Sequence, residues 1–270
     1  MAAELRVPPV VEAGQGFSIP TDGSGQATFY LVGPDRVVKR TMNLGGALQI
    51  QSSDVRAAGL YRVIVCRSSS SCDSATFDVI AATPAHISFF LHPSRVPVSS
   101  PGSIDATAFV FDQYFNPVLT PATVDFRINP ASGAGFTREG STHQGVTWMR
   151  MDSTPHEGRV QVTAALGRVQ ESRVIQQVAA EACGLRMKVL PGVANRMTLE
   201  TDPVRDCSGN ALPDGTIVSF TAVDQAGKST VDAPIKKGVA RAQLPIQGPT
   251  QISVACGVVV GNEVAVNGKL

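Results

Sequence analysis

The sequence predicts an all-β chain of tandem sandwiches, and three observations predict it. Apolar residues alternate with polar ones in short runs, as at Ile87, Phe89 and Leu91 or at Val160, Val162 and Ala164. That is the period of a half-buried strand. Gly, Pro, Asn and Asp break the runs about every 8–12 residues, the spacing of strands and turns in a sandwich. Two stretches of about 90 residues repeat one another in register, the length of a seven-stranded sandwich. Helical periodicity is nearly absent. Ala179–Ala182 is the one helix-like stretch, and it falls at a junction.

Residues 1–82 read as a first, divergent unit. Phe17–Ile19, Ala27–Leu31, Val37–Thr41, Ala47–Gln51, Tyr61–Cys66 and Ala75–Ile80 are the expected strands. Ala58-Gly59-Leu60-Tyr61-Arg62-Val63 resembles the start of an immunoglobulin F strand, where a tyrosine hydroxyl caps the preceding corner. Boundaries are expected near Thr83-Pro84 and Ala179–Ala182, giving units 1–82, 83–180 and 181–270.

The second and third units align on three ordered blocks. Val110-Phe-Asp112 through Asn116 to Val124-Asp-Phe126 lies over Val204-Arg-Asp206 through Asn210 to Val218-Ser-Phe220, at an offset of 94. Gly145-Val146 matches Gly238-Val239 at 93, and Val162-Thr-Ala164 matches Ile252-Ser-Val254 at 90. A slowly shrinking offset means homologous units with small loop deletions. These blocks resemble the bacterial immunoglobulin-like repeats of the invasin and intimin kind, over about residues 83–270. The match is good in Val204–Phe220 and Gly238–Gly257, and looser in 83–180, where Tyr114-Phe115 replaces small turn residues. The resemblance implies three immunoglobulin-like sandwiches placed end to end, surface or periplasmic placement, and adhesion or structural support.

Composition excludes several roles. The 270 residues carry 23 Lys+Arg against 22 Asp+Glu, a net charge of +1. The units split as 7 against 7, 7 against 7 and 9 against 8, so none has the basic excess of a nucleic-acid binder. No apolar run approaches the roughly 18–20 residues that cross a bilayer. The first residues, Met1–Pro9, lack a charged-then-apolar export pattern. The five cysteines therefore carry the compartment argument. Cys66 and Cys72 bracket a polar tract, which suits a disulfide closing a hairpin in an oxidising environment. Cys183, Cys207 and Cys256 map to one pole of the third sandwich, where one bridge is expected. Cys207–Cys256 is the first choice, since those loops are neighbours. Cys183–Cys207 is the second, and one thiol is left over.

No constellation of residues carries catalysis. Ala222-Val-Asp-Gln-Ala-Gly227-Lys228-Ser229 fits a relaxed phosphate loop, but the β-branched residues and Pro234 in the following Thr230–Gly238 deny the helix such a loop needs. His86, His92, His143 and His156 have no metal-ligand spacing. His86 and His92 are expected on the outside of one strand. Ser68–Ser71 is a polar loop with no base beside it. Asp202, Asp206, Asn210 and Asp214 offer oxygen ligands that suit calcium, although turn-forming Asx side chains explain them without metal. Phe89, Phe109, Phe111 and Phe126 are expected as core. Tyr114-Phe115 sit in a loop where packing does not demand them. They are read first as a contact with residues 1–82 and second as a ligand patch.

The expected role is a non-enzymatic spacer, adhesion or recognition segment of a secreted or surface protein. It needs no cofactor, binds a protein or glycan, and neither binds nucleic acid nor inserts in a membrane. The alternative is an accessory module of a larger secreted enzyme or assembly.

Overall fold

A computed structural model describes residues 5–68, 71–191, 196–246 and 248–267. Ser69 and Ser70 of the polar tract, and the first four and last three residues, lie outside them. The chain is all-β. Its first third forms β1 (Val10–Glu12), β2 (Phe17–Pro20), β3 (Gln26–Val32), β4 (Val37–Asn43), β5 (Ala47–Ile50), β6 (Gly59–Ser68) and β7 (Ser71–Ile80). One sheet runs β1-β7-β6-β3-β4, with β1 parallel to β7, and β2 pairs with β5 opposite. Between them lie Ile19, Phe29, Leu31, Tyr61, Val63 and Phe77. The Tyr61 hydroxyl donates to Ala57 O at 3.0 Å, capping the corner before β6. Edge strand β4 carries Lys39 and Arg40, charges that discourage pairing with a further strand.

The middle third forms β8 (Pro84–His92), β9 (Arg95–Pro97), β10 (Ile104–Asp112), β11 (Thr123–Pro130), β12 (Phe136–Ser141), β13 (Val146–Met151), β14 (Gly158–Leu166) and β15 (Val169–Val178). Its sheets run β13-β10-β8 and β12-β11-β14-β15-β9. The last third forms β16 (Met187–Leu190), β17 (Arg196–Thr201), β18 (Ile217–Asp224), β19 (Gly227–Lys236), β20 (Val239–Pro245), β21 (Pro249–Cys256) and β22 (Val259–Asn267). Here the long strand β19 pairs with β18 and then with β20, so both sheets join as β16-β17-β20-β19-β18-β21-β22. Buried residues cluster in three cores: around Phe29 and Tyr61, around Phe89 and Phe126, and around Phe220 and Leu244. A wholly buried phenylalanine such as Phe126 contributes about 1.5–3 kcal/mol by leaving water.

Two expectations are corrected. Ala179–Ala182 is not helical: Ala182 forms an antiparallel bridge with Asp206. Phe109 and Phe111 are not core. Along β10 the buried positions are Ile104, Ala106, Ala108, Val110 and Asp112, so the two phenylalanines take the opposite parity and face outward. Phe89 on β8 fills the space that the small Ala106 and Ala108 leave. Alternation marks two faces without saying which is inside.

Candidate functional site

The repeat places one device in both of its copies. Asp112 ends β10 and Asp206 follows β17, and each opens a tight loop closed by an asparagine four residues on. Asp112 N–H donates to Asn116 O at 3.0 Å, and Phe115 N–H to Asp112 O at 3.1 Å. In the second copy Asp206 N–H donates to Asn210 O at 2.9 Å, and Gly209 N–H to Asp206 O at 3.0 Å. The fourth loop residue must take positive φ. Gly209 does so at +87°, whereas Phe115 does so at +63° and carries about 1–2 kcal/mol of steric cost.

Each carboxylate is a hub for N–H donors. Asp112 accepts from Tyr114 N at 2.8 Å, Asn116 N at 2.9 Å, Asn116 Nδ2 at 2.8 Å and Ala82 N at 3.0 Å. Asp206 accepts from Ser208 N and Asn210 N at 2.9 Å, and from Asn210 Nδ2 and Ala180 N at 3.0 Å. Ala82 and Ala180 lie on the segments that enter each unit, so the hub fixes the incoming chain. Burial acts to raise both acids. The asparagine amide and the backbone donors outweigh it and hold both pKa values below the ordinary aspartate value.

The asparagines reach the other way, into the preceding unit. Asn116 Nδ2 donates to Arg56 O and its Oδ1 accepts from Ala58 N, both at 2.7 Å. Asn210 Nδ2 donates to Pro155 O at 2.9 Å and its Oδ1 accepts from Glu157 N at 3.3 Å. The receiving corners also match, since Gly59 and Gly158 follow with φ of +141° and +138°. Each joint is thus an Asp–Asn rivet between successive cores. The register of Asp and Asn in the repeat was the available sequence signal. What a repeat leaves unsaid is that the amide faces a neighbour.

The joints differ in what surrounds the rivet. At the first, the Tyr114 ring seats on Gly14, leaving no room there for a Cβ, and Arg56 lies 5.7 Å from its centroid. At the second, Ser208 replaces the tyrosine and its Oγ bonds Ser99 Oγ at 2.7 Å. Phe115 turns away, is 68% exposed and stacks on His86 at 4.6 Å.

The cysteines pair as Cys66–Cys72 and Cys183–Cys207, with Cys256 a buried free thiol. The Cys207–Cys256 choice is therefore corrected. Cys183 N–H donates to Arg205 O at 2.7 Å beside the Ala182–Asp206 bridge, which brings Cys183 and Cys207 to a Cα separation of 4.9 Å. Cys256 ends β21 pointing into the core, where burial, with a smaller push from Glu181, raises its thiol pKa. The calcium quartet is not assembled: both Asp206 oxygens accept N–H groups, and no three acidic, His or Cys side chains converge among the described residues. Gly227, Lys228 and Ser229 begin strand β19, so no helix faces a phosphate. No helix among the described residues is long and apolar enough to cross a membrane.

Among solved structures, the Escherichia coli adhesin FdeC superposes with a TM-score of 0.65 over 98% of this chain and 96% of that one, at 13% identity. The chain shares the fold of bacterial immunoglobulin-like adhesin domains. Invasin, a bacterial integrin-binding protein, aligns with a TM-score of 0.49 and 12% identity over 93% of this chain and 56% of that one. No family model matches the sequence, and no curated protein matches it.

Proposed function

We propose that this chain is a non-enzymatic segment of a secreted or surface-displayed bacterial protein. In this reading, three immunoglobulin-like domains (1–82, 83–180 and 181–270) stand end to end and hold a partner-binding region at a set distance. The observation that carries it is the repeated rivet. Both joints spend a buried carboxylate and its asparagine on fixing one unit against the next, which serves a spacer and has no use in a flexible string of beads. The Cys66–Cys72 and Cys183–Cys207 bridges support an oxidising compartment. The FdeC fold supports adhesion or structural support as the class of role. The partner in this reading is a protein or glycan at a cell surface, with neither nucleic acid nor membrane insertion involved.

Small-angle scattering combined with non-reducing peptide mapping tests this. An elongated envelope that becomes flexible when Asn116 and Asn210 are both changed to Ala is expected, with two disulfides. A compact particle, or five free thiols, overturns it.

A further inference from the structure

Sheet β13-β10-β8 turns an aromatic face to solvent. Its outward residues form rows across three strands: His92, Asp105 and Arg150; then Phe90, Thr107 and Trp148; then Ser88, Phe109 and Val146; then His86 beside Phe111. Trp148 is 68% exposed and Phe90 60%. Phe90 meets Phe109 edge-on at 5.8 Å, and the His86–Phe115 stack extends the patch at one end.

The sandwich does not need these rings. In the third unit the strands equivalent to β8, β10 and β13 are β16, β17 and β20. There the row matching Phe90, Thr107 and Trp148 is Lys188, Glu200 and Arg241, an ion triad in which the exposed Lys188, its Nζ 3.0 Å from Glu200, and the exposed Arg241 cover one buried carboxylate. Asp202 stands where Phe109 does. The same scaffold folds with charges there, so the aromatic surface is an addition to it. Phe115 adds to the case, because it keeps a ring in a left-handed conformation that its counterpart leaves to glycine.

We infer that this face binds an uncharged glycan chain. Charge complementarity selects that occupant: the face's one acid and one guanidinium, Asp105 and Arg150, neutralise each other at 2.8 Å, leaving no field for a polyanion. Phe90 and Trp148 flank the same threonine from strands two apart, so their side chains stand about 10 Å apart. Alternate sugars of an extended β-1,4-linked chain present the same apolar C–H face at about that repeat. The Thr107 and Ser88 hydroxyls, His92 and the Asp105–Arg150 pair lie between and beside the rings, where they meet sugar hydroxyls. A sheet face does not by itself cradle a helix, which binds in a hydrophobic groove. The inference is independent of the spacer reading, because the rivets could fail their test while this face still bound.

Trp148 is the chain's one tryptophan, so its emission reports on this face alone. The full chain is titrated with soluble cello-oligosaccharides, chito-oligosaccharides and heparin. A saturable emission change with a neutral oligosaccharide and none with heparin is expected. Phe90→Ala should weaken it about tenfold, the loss of one stacked ring. A variant combining Phe90→Lys, Thr107→Glu and Trp148→Arg copies the third unit's triad. It should keep its melting temperature and lose the heat of binding in calorimetry. Flat emission with both neutral series, equal response to heparin, or binding that survives both variants overturns the inference. So does emission that shifts with protein concentration alone, which would mark the face as a contact between two copies.

Discussion

The two joints use one rivet and secure it differently. At the first, Asp112 is wholly buried and Asn116 nearly so, sheltered by Tyr114 on Gly14. At the second, Asp206 is buried but Asn210 is half-exposed, and its bond from Glu157 N is longer, at 3.3 Å against 2.7 Å from Ala58 N at the first. There the Cys183–Cys207 bridge ties the incoming chain to the loop beside the hub. The first joint has Ala85 and Gln113 at the matching places. A polar rivet under an aromatic cover thus alternates with a polar rivet backed by a covalent bond. Hydrogen bonds at an exposed joint compete with water, and a disulfide does not.

Five perturbations press on this comparison, from the largest effect down. Replacing Cys183 and Cys207 together with Ala should cost the third unit about 3 kcal/mol by urea denaturation, because a loop of 24 residues' separation is released. The same treatment should leave the first joint unchanged. Asp112→Ala strands three backbone N–H groups and should cost about 3 kcal/mol, against roughly 2 for Asp206→Ala, where water reaches the orphaned donors. Equal losses would erase the difference between a sheltered and a wet rivet. Asn116→Ala should cost about 1.5 kcal/mol and Asn210→Ala about 0.5–1, by the same assay. Hydrogen exchange should show faster opening at Ala58 N–H in the first variant and at Glu157 N–H in the second.

Acid should unlock both joints. The two carboxyls have pKa values lowered by folding, so the stability they contribute is fully present above the ordinary aspartate value of about 3.9. It is lost as pH falls through the lower folded values. Melting temperature should hold through the neutral range and drop below about pH 4, and Asp112→Asn with Asp206→Asn should flatten that drop. The smallest effect is expected for Phe115→Gly, which gives the first loop the residue of the second. It should gain up to about 1 kcal/mol by relieving the left-handed strain, seen as a small rise in melting temperature.

How far the sequence reads the structure differs by element. The strands of residues 1–82 were legible because a strand in a half-buried sheet writes its period into five or six consecutive residues. The Tyr61 corner was legible because its partner lies four residues away. Phe109 and Phe111 were misassigned because parity within β10 is undecided until Phe89 arrives from β8 to fill the gap above Ala106 and Ala108. Asp112, Asn116, Asp206 and Asn210 are visible as a repeat, and of these only Asp206 and Asn210 read as turn formers or calcium ligands. The backbone groups that pair with the two asparagines across the joints lie between 53 and 60 residues away in sequence.

By itself the sequence determined an all-β chain with two homologous later units, because alternation and internal repetition are properties of neighbouring residues and need no third dimension. The tertiary structure alone decided which cysteine partners Cys207, which face of β10 is wet, and that each asparagine fastens one unit to another. Those outcomes depend on which distant backbones come within a hydrogen bond's or a disulfide's reach, and that distance exists only after the strands have packed.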